Sequence, residues 1–371
     1  MSKINLFTDE IIFRMQCAGG VSTVWGEILS RVMDDPDVDL RIVSTDAPVE
    51  NVVYREKGLA DVEKVPERHR NLLLQRMTEA HLPKRLCGEG NSIFNSTYFR
   101  TAAPSGVINV LHIHDFTHQL YFPKKQASIN SVLKRKCIRN SDAIVCISQN
   151  TKDDLLKFFP EASEKRVEVI YNGVSPEYRF DSSLELPSVI RGRGVGKFVM
   201  YVGSRAPYKR FGIALEIIKR FDWLSLVVVG GGALSDEEKA DVGSAADRVV
   251  QISGVSTQEL NALYSNAVAL VYPSAYEGFG IPPLEAMRSG CPAIAFRNSS
   301  LPEVMGDAGI LLDEGDLDGL EAAVCRLVDD EAWRGNIVEA QLNQAGQFTW
   351  DNSYNKLKGL YLSLIEERKG R

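Results

Sequence analysis

Two carboxylates at a fixed spacing are the sharpest chemical feature of this 371-residue chain. Glu277 and Glu285 sit in PSAYEGFGIPPLEAMRSGCP (273–292), and Gly278, Phe279, Gly280 and Ile281 lie between them. Pro282 and Pro283 suit the first turn of a helix, where their missing N–H groups cost nothing. A turn that ends in such a helix start leaves backbone N–H groups free to meet a phosphate. Glu285, read as part of that first turn, is within reach of ribose hydroxyls, and Glu277, in the loop ahead, can face a sugar. A tight strand–helix turn with two solvated acids would use the same residues, since glycine is common at turns.

Companion residues favour the chemical reading. In YVGSRAPYKRF (201–211) an apolar run ends in Gly203 and is followed by Arg205 and Lys209. Two cations at the C-terminal end of a strand lie where open α/β sheets bind ligands, and they suit a diphosphate. A solvated basic turn is the plainer alternative. Gly230, Gly231 and Gly232 follow the run LSLVVV and let backbone approach a ligand, but they lack the full dinucleotide spacing. In the first half, Gly19 and Gly20 open a helix after the first apolar run, another anion-ready turn. His114 follows the run VINVLHI, with His112 two residues earlier on the same face. A histidine there is more often a structural hydrogen-bonder than a catalyst.

Those residues need strand ends and helix starts to hold them, and the pattern supplies both. Short apolar runs recur at 4–7, 40–44, 107–113, 143–148 and 167–172, then at 197–203, 224–231, 249–254, 269–273 and 292–296. Amphipathic stretches such as VSTVWGEILSRVM (21–33) intervene. Continuous apolar strands alternating with helices predict parallel sheets covered on both faces, hence an α/β fold of two Rossmann-like doubly wound domains. Residues 175–197 crowd Pro, Gly, Ser and charge together. The expected division is 1–180 as the N-terminal domain, 181–196 as linker, 197–350 as the C-terminal domain, and 351–371 as an amphipathic helix. That helix is expected to pack back on the N-terminal domain through Leu357, Leu360, Tyr361 and Leu364.

Composition excludes several function classes. Hydrophobic content of 44% and charged content of 25% are those of an ordinary soluble protein. A net charge of −6 argues against nucleic acid as the main partner. No run reaches the roughly 18 apolar residues of a membrane span, and the start, KINLFTDEIIF, reads as a strand rather than a signal peptide. The six cysteines include no C-x-x-C pair; Cys146 and Cys291 read as small buried hydrophobes in a reducing compartment. A cytoplasmic protein is expected. Two D-x-D triplets, Asp37–Asp39 and Asp316–Asp318, lie away from the strand-end residues, so no metal is expected. G-R-G-V-G-K (192–197) mimics a P-loop, but Phe198 stands where Ser or Thr is required.

Taken together, these motifs resemble the retaining, family-4 type of glycosyltransferase with the GT-B fold. The likeness runs through DEIIFRMQCAGGVS (9–22), IFNSTYF (93–99), HIHDF (112–116), DAIVCISQNTKDDL (142–155), VIYNGV (169–174), YVGSRAPYKRF, the two-glutamate block and SSLPEVMGDAGILLD (299–313). It is nearest to the bacterial O-antigen and capsule enzymes that often move mannose from a GDP donor. The resemblance implies two domains facing across a cleft, a nucleotide-sugar donor and no metal or other cofactor. It makes Arg205 and Lys209 the diphosphate clamp and Glu285 the ribose contact. Glu277 with the Gly278–Ile281 backbone would hold the donor sugar, Gly20 would approach it from the other domain, and His114 would stand beside the transferred sugar. Ser204 here intervenes between the strand-end glycine and Arg205, and Asn95 stands where relatives often carry His.

The implied reaction is transfer of a hexose onto a glycan or lipid-linked glycan, with the charge on the leaving diphosphate met by Arg205, Lys209 and the helix start. A phosphorylase or a nucleotide-sugar epimerase on the same fold is the alternative, and a non-catalytic glycan- or nucleotide-binding protein a further one. One segment stands apart. No acid falls between Asp115 and Asp142, whereas Lys124, Lys125, Lys134, Arg135, Lys136 and Arg139 do. The stretch 128–140 reads as a helix with Ile129, Val132, Leu133, Cys137 and Ile138 for its buried side. Its cations suit either a plain solvated face or a peripheral membrane contact through 124–139.

Overall fold

Apolar runs too continuous for half-exposed strands become the inner strands of two parallel sheets. The computed structural model describes residues 3–45, 47–87, 90–103, 106–181 and 183–370. In the first sheet the strands are β1 (Ile4–Asp9), β2 (Val38–Ser44), β3 (Lys64–Pro66), β4 (Ser92–Ser96), β5 (Ile108–Ile113), β6 (Ala143–Cys146) and β7 (Arg166–Val169). They lie in the order β3-β2-β1-β4-β5-β6-β7, all parallel. Every residue of β4, β5 and β6 is buried, while the edge strands are short and half-exposed. The second sheet runs in the order β10-β9-β8-β11-β12-β13, again parallel. Its members are β8 (Phe198–Val202), β9 (Ser225–Val229), β10 (Val249–Ile252), β11 (Ala269–Tyr272), β12 (Ala293–Phe296) and β13 (Ile310–Leu312).

The chain divides into two units, Met1–Gly173 with Trp350–Arg371, and Val174–Thr349. The first owes its last element to the helix Trp350–Lys369. Leu357, Leu360, Tyr361 and Leu364 are all buried, as their helical spacing implies. Polar ties anchor the same helix: the Tyr354 hydroxyl donates to Asp35 at 2.7 Å and Arg166 donates to Ser363 at 2.8 Å. The stretch 181–196, read from composition as a linker, is counted with the second unit, where Ile190 is buried.

Strands β3, β4 and β13 were not among the apolar runs, because β3 is three residues long and β4 carries Asn95 and two serines. The helix Gln149–Phe158 is capped by Ser148, whose side chain accepts from the Thr151 N–H. Cys146 and Cys291 are free and buried, as expected.

Candidate active site

The second unit gathers its functional side chains at the C-terminal ends of β8, β9 and β11. After β8 the chain turns at Gly203, whose φ of 138° excludes most side chains, and enters a short 3-10 turn, Pro207–Lys209. Lys209 Nζ lies 2.5 Å from Glu277 Oε1 and 3.4 Å from the Tyr272 hydroxyl. Both partners of the Lys209–Glu277 pair are largely shielded from water. The backbone joins the same two loops, since Ala275 N–H donates to Tyr208 O at 2.8 Å.

The glutamate loop is braced from below. Glu277 N–H donates to Ser299 Oγ at 2.8 Å, and Ser300 Oγ donates to the carbonyls of Glu277 and Phe279 at 3.0 and 2.8 Å. Buried Phe279 lies edge-on to Phe348. The first unit carries the helices α1 (Gly20–Asp34) and α2 (Lys124–Asn140), and the second the helix α3 (Ile281–Arg288). The glutamate loop ends at Gly280, φ 107°, which caps α3, and a Cβ there would come within 2.8 Å of Leu301 Cδ2. No side chain caps α3 and no acid lies in its first turn, so the helix does not neutralise the positive end of its own dipole.

Glu285 therefore sits one turn further along than the sequence reading placed it. Its carboxylate accepts from the Tyr264 hydroxyl at 3.3 Å and also from Tyr178. Burial pushes its pKa up to about 7, against the lowering effect of the two tyrosine hydroxyls. Arg205 is committed elsewhere. Its guanidinium donates to Glu238 at 2.7 Å, to Gly232 O at 2.8 Å and to Ala233 O at 2.6 Å, with longer contacts to Gly230 O and Gln251. The glycines it holds have φ of 92°, 75° and 75°, and a Cβ on Gly231 would strike the guanidinium. Arg205 thus fixes the shape of the glycine loop, whatever else it contacts.

In the first unit, Gly19 caps α1 without a side chain, and a Cβ on Gly20 would meet nothing within 4 Å, so open space lies over this helix start. His112 and His114 stack on the face at the end of β5, ring centroids 6.1 Å apart. The Asn95 amide donates to His112 Nδ1 at 3.1 Å, which leaves the His112 proton on Nε2. The Trp25 ring packs edge-on to His112 at 4.9 Å. His114 is 6% exposed, and neither of its ring nitrogens has a hydrogen-bond partner among the described residues. Burial lowers its pKa to about 4, with Asp115 opposing and nearby Lys134 adding to the shift. The ring is a neutral, unspent donor–acceptor.

The D-x-D triplets serve as ion-pair and cap residues. Asp37 and Asp39 pair with Lys358 and Lys3, Asp316 caps the helix Leu317–Asp329, and Asp318 pairs with Arg220. Among the described residues no group of three or more His, Cys, Asp or Glu is arranged to hold a metal.

Two family models match the chain, Glycosyltransferase Family 4 over residues 18–178 and Glycosyl transferases group 1 over residues 196–330. The first span contains Gly19, Gly20 and His114, the second the remaining candidate residues. The chain is a glycosyltransferase, and its two parallel α/β units have the GT-B fold. It is 27% identical to O-antigen chain mannosyltransferase B of Escherichia coli over 256 residues, 66% of this chain and 67% of that one. An O-antigen chain mannosyltransferase of Salmonella typhimurium is 29% identical over 218 residues, 57% of this chain and 58% of the relative. Among solved structures, Anabaena HepE in complex with UDP and glucose superposes with a TM-score of 0.72 at 15% identity, covering 97% of this chain and 100% of that one.

In this glycosyltransferase, sequence reasoning located Lys209, Glu277, Gly280 and Ile281, and the fold brings them together. It missed Tyr178 and Tyr264, whose hydroxyls meet Glu285 from elsewhere in the chain, and Glu238, which holds Arg205. No local signal marks any of the three. Ser299 and Ser300 were visible only as part of the family likeness. The basic segment is corrected in two respects. Ile129 and Val132 of α2 face outward, 49% and 67% exposed, and Lys134 is buried, its ammonium donating to Asp115 O at 2.7 Å and to Gln119 at 3.0 Å. The ring of Phe116, 4.0 Å from that ammonium, and a carbonyl at the end of the preceding loop make burial of the lysine tolerable. No described helix is long and apolar enough to cross a membrane.

Proposed function

We propose that this enzyme transfers mannose from GDP-mannose, with retention and without a metal, onto a glycan or lipid-linked glycan of a bacterial surface polysaccharide. The observation that carries the reading is the Lys209–Glu277 pair in the loops that lead to the uncapped start of α3. Lys209 supplies a positioned cation and the start of α3 the positive end of a helix dipole with the Ile281 N–H, the two elements needed to take up charge on a leaving diphosphate. Glu277 orients the ammonium and offers its second oxygen to the hydroxyls of the donor sugar. Glu285, with its tyrosine partners, takes the ribose, and the glycine loop held by Arg205 lets backbone approach the nucleotide. His114 and the Gly19–Gly20 turn are assigned to the sugar side of the reaction. The enzyme would work at the cytoplasmic face of the membrane that carries its acceptor.

Mannose rests on the two O-antigen chain mannosyltransferases among the relatives. The Anabaena relative was crystallised with UDP and glucose, so UDP-glucose is the first competitor to test. Thermal shift against a panel of nucleotide sugars should single out the donor, which stabilises the fold by mass action. Transfer to a glycan acceptor should then follow, the product keeping the donor's anomeric configuration by NMR, and activity should persist in EDTA. Activity lost in EDTA and restored only by Mn²⁺ or Mg²⁺ would overturn the metal-free part. Donor turnover that needs phosphate in place of a nucleotide sugar would point to the phosphorylase alternative.

A further inference from the structure

One face of the first unit exposes bulky apolar side chains on three neighbouring elements. Leu73, Leu74 and Met77 of the helix Leu72–Met77 are 51%, 46% and 53% exposed, Phe122 after the helix Thr117–Tyr121 is 41%, and Ile129 and Val132 lie on α2. The elements touch: Lys136 Nζ donates to Met77 O at 2.7 Å, and the Gln119 amide reaches Asn130 and Ser131 of α2 at 3.1 Å. Helix α2 buries a lysine while leaving a valine in water, the reverse of the usual preference, so its outward apolar face is not a by-product of packing.

The segments that carry the face are poor in acid. No Asp or Glu occurs between Glu67 and Glu79 or between Asp115 and Asp142. Lys124 and Lys125, at the start of α2, are exposed and have no ion-pair partner among the described residues. Bulky apolar groups beside unpaired cations are complementary to a surface that is apolar inside and anionic outside. We propose that this face docks on an anionic lipid bilayer, Phe122, Ile129 and Val132 entering the acyl boundary while Lys124 and Lys125 meet the headgroups. Lys134 takes no part, being buried, and Arg135 is already paired with Glu161 at 2.7 Å. The docking deepens the partner side of the proposed function and rests on that reading for its purpose, delivery of the enzyme to a lipid-linked acceptor.

The test uses the full chain and vesicles of phosphatidylcholine with or without phosphatidylglycerol. Co-sedimentation should require phosphatidylglycerol. The double variant Phe122→Asp/Val132→Asp should lose binding about tenfold or more with its melting temperature unchanged, both side chains being exposed. Lys124→Gln/Lys125→Gln should lose binding severalfold, most clearly at low salt. Val132→Trp should gain fluorescence quenching by brominated lipid. Unchanged binding of the Asp variant, no quenching, or no binding to either vesicle would overturn the proposal. So would a dimer in analytical ultracentrifugation that the Asp variant dissociates, which would make a second copy the occupant. Transfer to a short soluble acceptor should be retained by all these variants. If the wild type transfers from no nucleotide sugar, the glycosyl-transfer reading fails while the vesicle result stands by itself.

Discussion

The hydroxyl of Tyr361 donates to the side-chain carbonyl of Asn95 at 2.6 Å, joining the C-terminal helix to β4 across 266 positions of sequence. The other end of the same amide donates to Val110 O and faces His112 Nδ1, so Asn95 has its orientation set from both sides. A residue near the chain's end thereby fixes the tautomer of a histidine that stacks on His114. Tyr361→Phe leaves Asn95 Oδ1 buried and unpaired. It should cost about 1–3 kcal/mol in chemical denaturation, and turnover should fall with donor affinity unchanged. A variant as stable and as active as the wild type would remove Tyr361 from this chain of contacts.

Lys209 is the residue whose loss should matter most to the chemical step. Lys209→Ala should raise the barrier to transfer by about 3 kcal/mol, the scale of a lost charge stabiliser. The fall should lie in kcat more than in KM for the donor, because the developing charge on the diphosphate exists only in the transition state. Steady-state rates near those of the wild type would rule out the leaving-group role.

Arg205 should respond differently. Its guanidinium holds Glu238 and the carbonyls of Gly232 and Ala233, so Arg205→Ala should lower the melting temperature as well as transfer. Lysine should not rescue it, since one ammonium cannot span those acceptors in the geometry of a planar fork. An unaltered melting temperature with impaired transfer would make Arg205 a diphosphate ligand alone.

Glu285 titrates where it can be watched. Its pKa stands near 7 in the folded chain and 4.5 as an ordinary glutamate. Between those values the folded state binds more protons than the unfolded, so stability declines as pH rises from about 4.5 through 7. Glu285→Gln should flatten that decline in urea melts taken across the window. Glu285→Ala should raise the donor KM more than it lowers kcat, as expected for a contact made equally in ground and transition states. A larger effect on kcat would give Glu285 a part in the chemistry.

His114 carries the opposite sign. Its pKa is lowered from 6.5 to about 4, so the unfolded chain takes up its proton first and stability is lost as pH falls through that window. His114→Asn should reduce this acid sensitivity, and His114→Ala should mainly lower kcat. An apparent pKa near 6.5 for His114 by NMR would contradict its burial as a neutral ring.

What the sequence determined by itself was local. The inner strands of both sheets apart from β4, the helix start after Gly280, and the positions of Lys209, Glu277 and His114 at strand ends or loops were legible in it. Apolar runs, proline at a helix start and glycine at a turn act through backbone geometry over a few residues, so they are written in neighbouring positions. The state of each side chain was decided by the tertiary structure. Glu285 is half-protonated near neutrality because burial desolvates it beside Tyr264 and Tyr178, and Arg205 is tied to a loop and a helix that follow the next strand. Lys134, one cation in a basic run, is buried against Phe116, while Val132 two residues earlier faces water. Desolvation and partner choice depend on which distant elements close over a group, and spacing along the chain carries no record of that.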